Sequence, residues 1–178
     1  MFASGHAPAG KIAGDLYRLG LNRNLMRALE LKIPPPVVAL LVAAAMWGIS
    51  LTTPSVEAPA LARVVAAIAI ALAGVGFAIA GSLAFRRAKT TVNPLKPETT
   101  TSLVTSGVYR FTRNPMYIGL ALVLLGWAVF VSSALALLGP LVFILYLSRF
   151  QIVPEERVLS GMSGTAYSAY QAKVRRWL

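Results

Sequence analysis

The chain has 178 residues, of which 57% are hydrophobic and 13% charged, with a net charge of +11. This apolar content exceeds the roughly 45–50% of an ordinary soluble domain and indicates a membrane protein. The basic residues lie in short segments beside apolar runs, which is typical of membrane topology and does not favour a nucleic-acid partner. The absence of cysteine, together with a single histidine, excludes disulfides, thiolate catalysis and zinc or iron–sulfur sites, so we expect no metal.

Residues 1–33 are predicted to form an N-terminal tail and an interfacial helix. From Asp15 to Lys32, apolar residues recur at approximately helical spacing. Arg18, Arg23 and Arg27 interrupt this face, so the segment cannot span a bilayer. We predict an amphipathic helix at the membrane surface, and a mobile basic tail is the alternative.

Four apolar runs follow, and they predict an all-α integral membrane protein with four transmembrane helices. Residues 34–85 contain the first pair, at about 37–52 and 61–85, and the second pair lies at about 116–131 and 134–153. The connection at Ser132 and Ser133 is so short that the last two helices must be antiparallel neighbours. Pro154 is predicted to end or kink the fourth span, before a polar helical tail.

The distribution of Lys and Arg predicts the orientation. These residues are concentrated in the N-terminal segment, the middle loop and the C-terminal tail, whereas the two opposite connections hold only Arg63, at the edge of a span. The positive-inside rule therefore places both termini and the middle loop in the cytoplasm. If the source is bacterial, the inner membrane is the expected location.

Residues 86–178 are predicted to form the catalytic region. A polar stretch, Tyr109–Tyr117, precedes the third span, and an acidic pair, Glu155 and Glu156, follows the fourth. The predicted topology brings both to the cytoplasmic membrane face. Arg110 and Arg113 can bind a carboxylate, and the glutamates can accept hydrogen bonds from ammonium or hydroxyl groups. The combination suits a ligand that carries both kinds of group.

A simpler interpretation exists for each of these groups. The arginines could only anchor the topology, and the acidic pair could form ion pairs with Arg149 or Arg157. Arg149 lies about one turn inside the end of the predicted fourth span, where a charged side chain is a candidate for function, although it can also snorkel to the surface. We predict substrate contacts at Arg110, Arg149 and Tyr167.

The ordered motifs resemble the isoprenylcysteine carboxyl methyltransferase and phospholipid N-methyltransferase superfamily, and its small bacterial members most. The resemblance covers about residues 99–178, whereas the first half matches only as two generic spans. It depends on the following residues: Gly107–Gly119, Gly126, Trp127, Pro154–Leu159, Gly164, Tyr167, Tyr170, Val174 and Arg175.

The resemblance implies an integral membrane enzyme that uses S-adenosylmethionine. Carried over to this sequence, the implied cofactor contacts are Arg113, Asn114, Pro115, Tyr117, Gly119, Glu155, Glu156 and Leu159. We predict catalytic roles for Arg113, Asn114 and Glu156 within this set. The sequence departs from the family pattern at Asn114, where many members have histidine, and at Ser163, where phenylalanine is usual.

Methyl transfer from a sulfonium fits this set of residues. The reaction requires above all the alignment of nucleophile, methyl group and sulfur, and proximity and orientation can supply roughly 7–11 kcal/mol. The acceptor stays open among a prenylated cysteine, phosphatidylethanolamine, a fatty acid and a small isoprenoid. A carboxylate acceptor needs no base, whereas an amine must lose a proton to Glu156 or Glu155.

Two other classes of function are compatible with the sequence. Sterol reductases resemble this superfamily in one motif and bind NADPH, although they usually have more spans. A non-catalytic transporter or interaction module is also compatible with four spans, but the predicted spans contain no carboxylate for proton coupling. Membrane lipids are the expected surroundings in every case, and the sequence leaves the oligomeric state open.

Overall fold

A computed structural model describes residues 30–88 and 103–178. Within these ranges the chain is helical, and the one β-type contact there is an isolated bridge between Ser55 and Ser133. The all-α prediction is confirmed for this part of the chain. The predicted interfacial helix lies outside the described residues, except for its end at Glu30–Lys32, which is not helical; Glu30 and Leu31 form a turn.

Three helices coincide closely with predicted spans. They are α1 at Pro35–Ser50, α2 at Ala60–Arg87 and α3 at Pro115–Val131. Both α1 and α3 begin with proline. Proline suits the first turn because its φ is already helical and its missing N–H would have no partner there.

The fourth apolar segment continues into the C-terminal helix. It comprises a 3-10 turn at Leu135–Leu137, α4 at Leu138–Leu147 and a π-helical turn at Ser148–Ile152, and it leads directly into α5 at Val153–Lys173. Pro154 lies in the first turn of α5 and does not end the helix. A π-helical turn inside a helix is rare and often marks a functional site.

Two helices among the described residues are long and apolar enough to cross a membrane. One is α2, and the other is the helical segment Leu135–Lys173, whose apolar part ends before the polar α5. The backbone of α5 is kinked at Gly164, which has a φ of 43°. The 16 residues of α1 and the 17 of α3 are apolar but shorter. These helices extend about 24–26 Å at 1.5 Å per residue, against a hydrocarbon core of about 30 Å.

Glycines allow α2 and α3 to approach closely. A Cβ atom on Gly119 would lie 2.6 Å from the carbonyl oxygen of Gly74, and one on Gly126 would lie 2.7 Å from that of Ala67. Neither distance leaves room for a side chain. Small residues allow this kind of backbone contact between membrane helices.

The main core lies between α1, α3 and α4. Phe143 and Leu147 of α4 are fully buried there, against Met46 of α1 and Leu124 of α3. The Trp127 indole N–H donates to the carbonyl of Ala43 over 3.0 Å, which connects α3 to α1. This packing holds the N-terminus of α3 and the start of α5 at the same end of the bundle.

Candidate functional site

The start of α3 and the start of α5 contact each other, although 38 residues separate them along the chain. The Tyr117 hydroxyl donates to Glu155 Oε1 over 2.7 Å. Arg113 Nη1 lies 3.1 Å from Glu156 Oε1. The structure therefore brings together four of the predicted site residues at one end of the apolar helices.

The two adjacent glutamates have different environments. Glu155 Oε1 accepts hydrogen bonds from two neutral groups, the Tyr117 hydroxyl and the Gln151 side-chain amide, each at 2.7 Å. Gln151 belongs to the π-helical turn and is buried. Burial raises the pKa of Glu155 to about 7, and the two hydrogen bonds oppose this rise while the charge of Glu156 adds to it.

Glu156 is instead held between two guanidinium groups. Arg176 donates to both of its carboxylate oxygens, from Nε over 3.1 Å and from Nη2 over 2.7 Å, and Arg113 Nη1 lies 3.1 Å from Oε1. Bidentate pairs of this kind are the stronger and more specific ion pairs. One carboxylate between two guanidinium groups leaves the cluster with a net positive charge.

Arg113 retains buried hydrogen-bonding capacity. Its side chain is 12% exposed. Its Nη1 forms the ion pair with Glu156 without hydrogen-bond geometry, and its Nε is buried with no hydrogen-bond acceptor among the described residues. Tyr167 is buried and packs with Tyr170 and Val174. Burial and the charge of Glu156 raise the pKa of its hydroxyl, and Arg113 opposes the rise. Buried donors without acceptors are costly, so they indicate where a ligand oxygen would bind.

The C-terminal residues connect the polar stretch to this cluster. The Asn114 side-chain Nδ2 donates to the carbonyl oxygen of Arg176 over 2.9 Å, and the Thr112 hydroxyl donates to the same oxygen over 3.3 Å. The backbone N–H of Arg113 donates to the carbonyl of Arg175 over 3.0 Å. The carboxamide of Asn114 therefore positions the tail, and with it the guanidinium that binds Glu156.

The remaining predicted residues lie around this centre or away from it. Pro115 is buried at the start of α3, and Leu159 packs beside Tyr167. Gly119 faces α2 in the tight helix contact. Arg110 is exposed at the end of a 3-10 turn, Gly107–Arg110.

Arg149 is not brought to the acidic pair. Its guanidinium lies 3.3 Å from Glu30, and that of Arg157 lies 3.1 Å from the same carboxylate. The proposed alternative, in which the acidic pair binds Arg149 or Arg157, is therefore wrong. The structure leaves the predicted substrate contact at Arg149 without a neighbouring site residue among those described.

Three residues of this region were missed as site residues by the sequence analysis. They are Gln151, Arg176 and Tyr109. Tyr109 is buried, and its backbone carbonyl oxygen accepts a hydrogen bond from the Tyr170 hydroxyl over 2.6 Å. Burial raises the pKa of Tyr109, and Tyr170 and Glu155 add to the rise. A tyrosine inside the polar stretch was the available signal for this residue.

Comparison with known proteins identifies relatives of this chain. A family model described as phospholipid methyltransferase matches residues 62–165, from α2 into α5. An uncharacterized protein of Haemophilus influenzae is 46% identical over 63 residues, which are 35% of this chain and all of that protein. No solved structure matches the chain.

Proposed function

This chain belongs to the phospholipid methyltransferase family, and we propose that it transfers a methyl group from S-adenosylmethionine to a lipophilic acceptor that enters from the bilayer. The observation that carries the proposal is the pair of adjacent glutamates, one bound by neutral donors and one by two guanidinium groups, at the ends of apolar helices. The family match favours methyl transfer over the reductase and transporter alternatives.

The cluster of Arg113, Glu156 and Arg176 fits the amino-acid part of S-adenosylmethionine. That part carries a carboxylate and an ammonium group. The buried Nε–H of Arg113 has no acceptor among the described residues and would suit the carboxylate, and Glu156 would suit the ammonium group. Tyr117, Pro115 and Leu159 would contribute the more apolar contacts, and the bound cofactor supplies an activated methyl group on a sulfonium.

We assign proton acceptance to Glu155 and charge pairing to Glu156. Both carboxylate oxygens of Glu156 are already bound by guanidinium groups, Oε1 by Arg113 and Arg176 and Oε2 by Arg176. Glu155 has only neutral donors on Oε1, and its Oε2 has no hydrogen-bond partner within the described ranges. A side chain whose pKa is close to neutral suits general-base catalysis at neutral pH.

With an amine acceptor, the proposed reaction combines transfer of a methyl group with loss of one proton. The bound cofactor would supply its methyl group to the amine nitrogen, the new carbon–nitrogen bond would replace the carbon–sulfur bond, and the donor would leave as a neutral thioether. The proton of the amine passes to Oε2 of Glu155. A carboxylate acceptor would react without this proton transfer, so the pH dependence distinguishes the two kinds of acceptor.

The predicted topology is part of the proposal. Four spans with both termini in the cytoplasm would place the site at the cytoplasmic membrane face, in a bacterial inner membrane. Arg86 and Arg87 end α2 at the same side of the bundle as the polar stretch, which agrees with the positive-inside rule.

Binding of S-adenosylhomocysteine to the purified protein in detergent tests the cofactor assignment. We expect calorimetry to show binding by the native chain, and strongly weakened binding by Arg113→Ala and Glu156→Ala. The control is Arg157→Ala, because this arginine is exposed and pairs with Glu30 away from the cluster. Absence of binding, or equal binding by all three variants, would contradict the assignment.

The acceptor can then be identified with an isotope-labelled methyl donor. Lipid extracts are incubated with the enzyme, and the labelled lipids are identified by mass spectrometry. A label on an amine headgroup, on a carboxylate or on an isoprenoid identifies the acceptor class. Protection by NADPH in a thermal-shift assay, without protection by S-adenosylhomocysteine, would support a reductase instead.

A further inference from the structure

A groove of about 400 Å³ lies between α2 and α3, away from the site described above. Its lining residues from α2 occupy one helix face, and the last of them, near the C-terminus of the helix, is charged. Among them are Val75, Ile79, Ser82, Leu83 and Arg86 from α2 and Val123 from α3.

The groove is separated from Glu155 by α3 itself. Tyr117, which donates to Glu155, is buried in the core between α1, α3 and α4. Gly119 and Val123 face the other way, towards α2. A molecule in this groove would therefore not contact Glu155. The groove is thus not where the proposed methyl acceptor would bind.

The dimensions of the groove correspond to one half of a bilayer. The lining positions from Val75 to Arg86 span 11 helical steps, which is about 16 Å at 1.5 Å per residue. Half of a hydrocarbon core is about 15 Å thick. The apolar wall thus extends from near the bilayer centre to the headgroup level, as one acyl chain does.

The charge at the end of the groove favours an anion. Arg86 lines the groove and forms no ion pair with any described residue. Arg87 follows it, and Arg110 ends the 3-10 turn that packs beside the C-terminus of α2. By contrast, the Ser82 hydroxyl already donates within the protein, to the carbonyl of Ala78 over 3.0 Å. Arg86 is therefore the group that is available to a headgroup.

We propose that this groove binds one acyl chain of an anionic phospholipid, with the lipid phosphate at Arg86. The bound lipid is not a substrate; it covers the exposed side of the contact between α2 and α3. This binding does not depend on methyl transfer, so it can be tested whether or not the proposed reaction is correct.

Native mass spectrometry of the delipidated protein in detergent tests the proposal. The probes are phosphatidylglycerol, which is anionic, and phosphatidylcholine, which is zwitterionic, both with the same two acyl chains. We expect one phosphatidylglycerol to be retained at lower lipid concentration than phosphatidylcholine. Arg86→Gln should weaken its binding about fivefold, the equivalent of about 1 kcal/mol for one basic residue at a membrane surface.

Two pairs of variants supply matched controls. Arg87→Gln removes the neighbouring charge, which does not line the groove, and should leave the binding close to that of the native chain. Val75→Trp fills the inner end of the groove and should reduce binding, whereas Leu72→Trp adds the same bulk at an exposed position of α2 outside it.

The following outcomes would overturn the proposal. Equal weakening by Arg86→Gln and Arg87→Gln would indicate attraction of lipids by surface charge alone. Unchanged binding by Val75→Trp would show that no acyl chain occupies the groove. Equal retention of phosphatidylcholine and phosphatidylglycerol would contradict the requirement for an anionic headgroup.

Discussion

Replacement of Glu155 by glutamine tests whether this side chain accepts the proton of an amine substrate. Glutamine keeps the size of the side chain, and its carbonyl oxygen can still accept the two 2.7 Å hydrogen bonds from Tyr117 and Gln151. It cannot take up a proton. A positioned general base typically contributes about 10²- to 10⁴-fold to the rate. We therefore expect kcat with an amine acceptor to fall by about this factor, with the affinity for S-adenosylhomocysteine near that of the native chain.

The pH profile of kcat separates this role from a structural one. Because burial raises the pKa of Glu155 to about 7, only about a tenth of the side chains are ionised one pH unit below it. Initial rates of labelled methyl transfer should rise through neutral pH and then level off, and Glu155→Gln should lack this inflection. Glu156→Gln should weaken cofactor binding and keep the inflection. The reasoning is refuted if Glu155→Gln retains the native rate with an amine, or retains the inflection.

The remaining predictions concern stability and the tail. Burial raises the pKa of Glu155 from 4.5 to about 7. Between these pH values the folded state therefore binds more protons than the unfolded state, and stability falls as pH rises through this window. In thermal-shift assays, Glu155→Gln should lack this part of the fall. Gly119→Ala should destabilise the protein by about 1–3 kcal/mol through overpacking. Gly76→Ala is the control, because Gly76 has open space around it and this variant should not be destabilised. Equal unfolding midpoints of the two variants would contradict the tight contact at Gly119. Asn114→Asp removes the donor to the Arg176 carbonyl and should weaken S-adenosylhomocysteine binding in calorimetry. Asn114→His can supply a ring N–H and should retain the binding. Tighter binding by Asn114→Asp than by Asn114→His would exclude the role of Asn114 as this donor.

The apolar helices were predictable because local signals mark their ends. Proline begins α1 and α3, and the runs that follow are uninterrupted by charge. The tight connection after α3 was also predictable, and Ser132 adopts a left-handed conformation there, with φ of 55°. The π-helical turn was not predictable, because Ser148–Ile152 has no sequence signal that distinguishes it from ordinary helix.

The role of Arg176 could not be predicted from local sequence. Lys173, Arg175 and Arg176 look equivalent as a basic end, and only tertiary structure selects among them. The backbone at Val174 is extended, with φ of −124° and ψ of 130°, so the chain leaves α5 and returns towards the polar stretch. Position along this returning segment decides which guanidinium reaches Glu156.

The tail also explains how an amide can stand where many members of the family have histidine. Asn114 supplies a hydrogen-bond donor to the carbonyl of Arg176, and the guanidinium of that same residue binds Glu156. A donor at this position does not need to titrate, so asparagine can supply it as well as a neutral imidazole can. In the proposed reaction with an amine acceptor, proton acceptance then requires a different side chain, and burial raises the pKa of the neighbouring Glu155 to about 7. Asparagine at this position therefore lacks the titrating group that a histidine would bring, and it keeps the contact that positions the C-terminal segment.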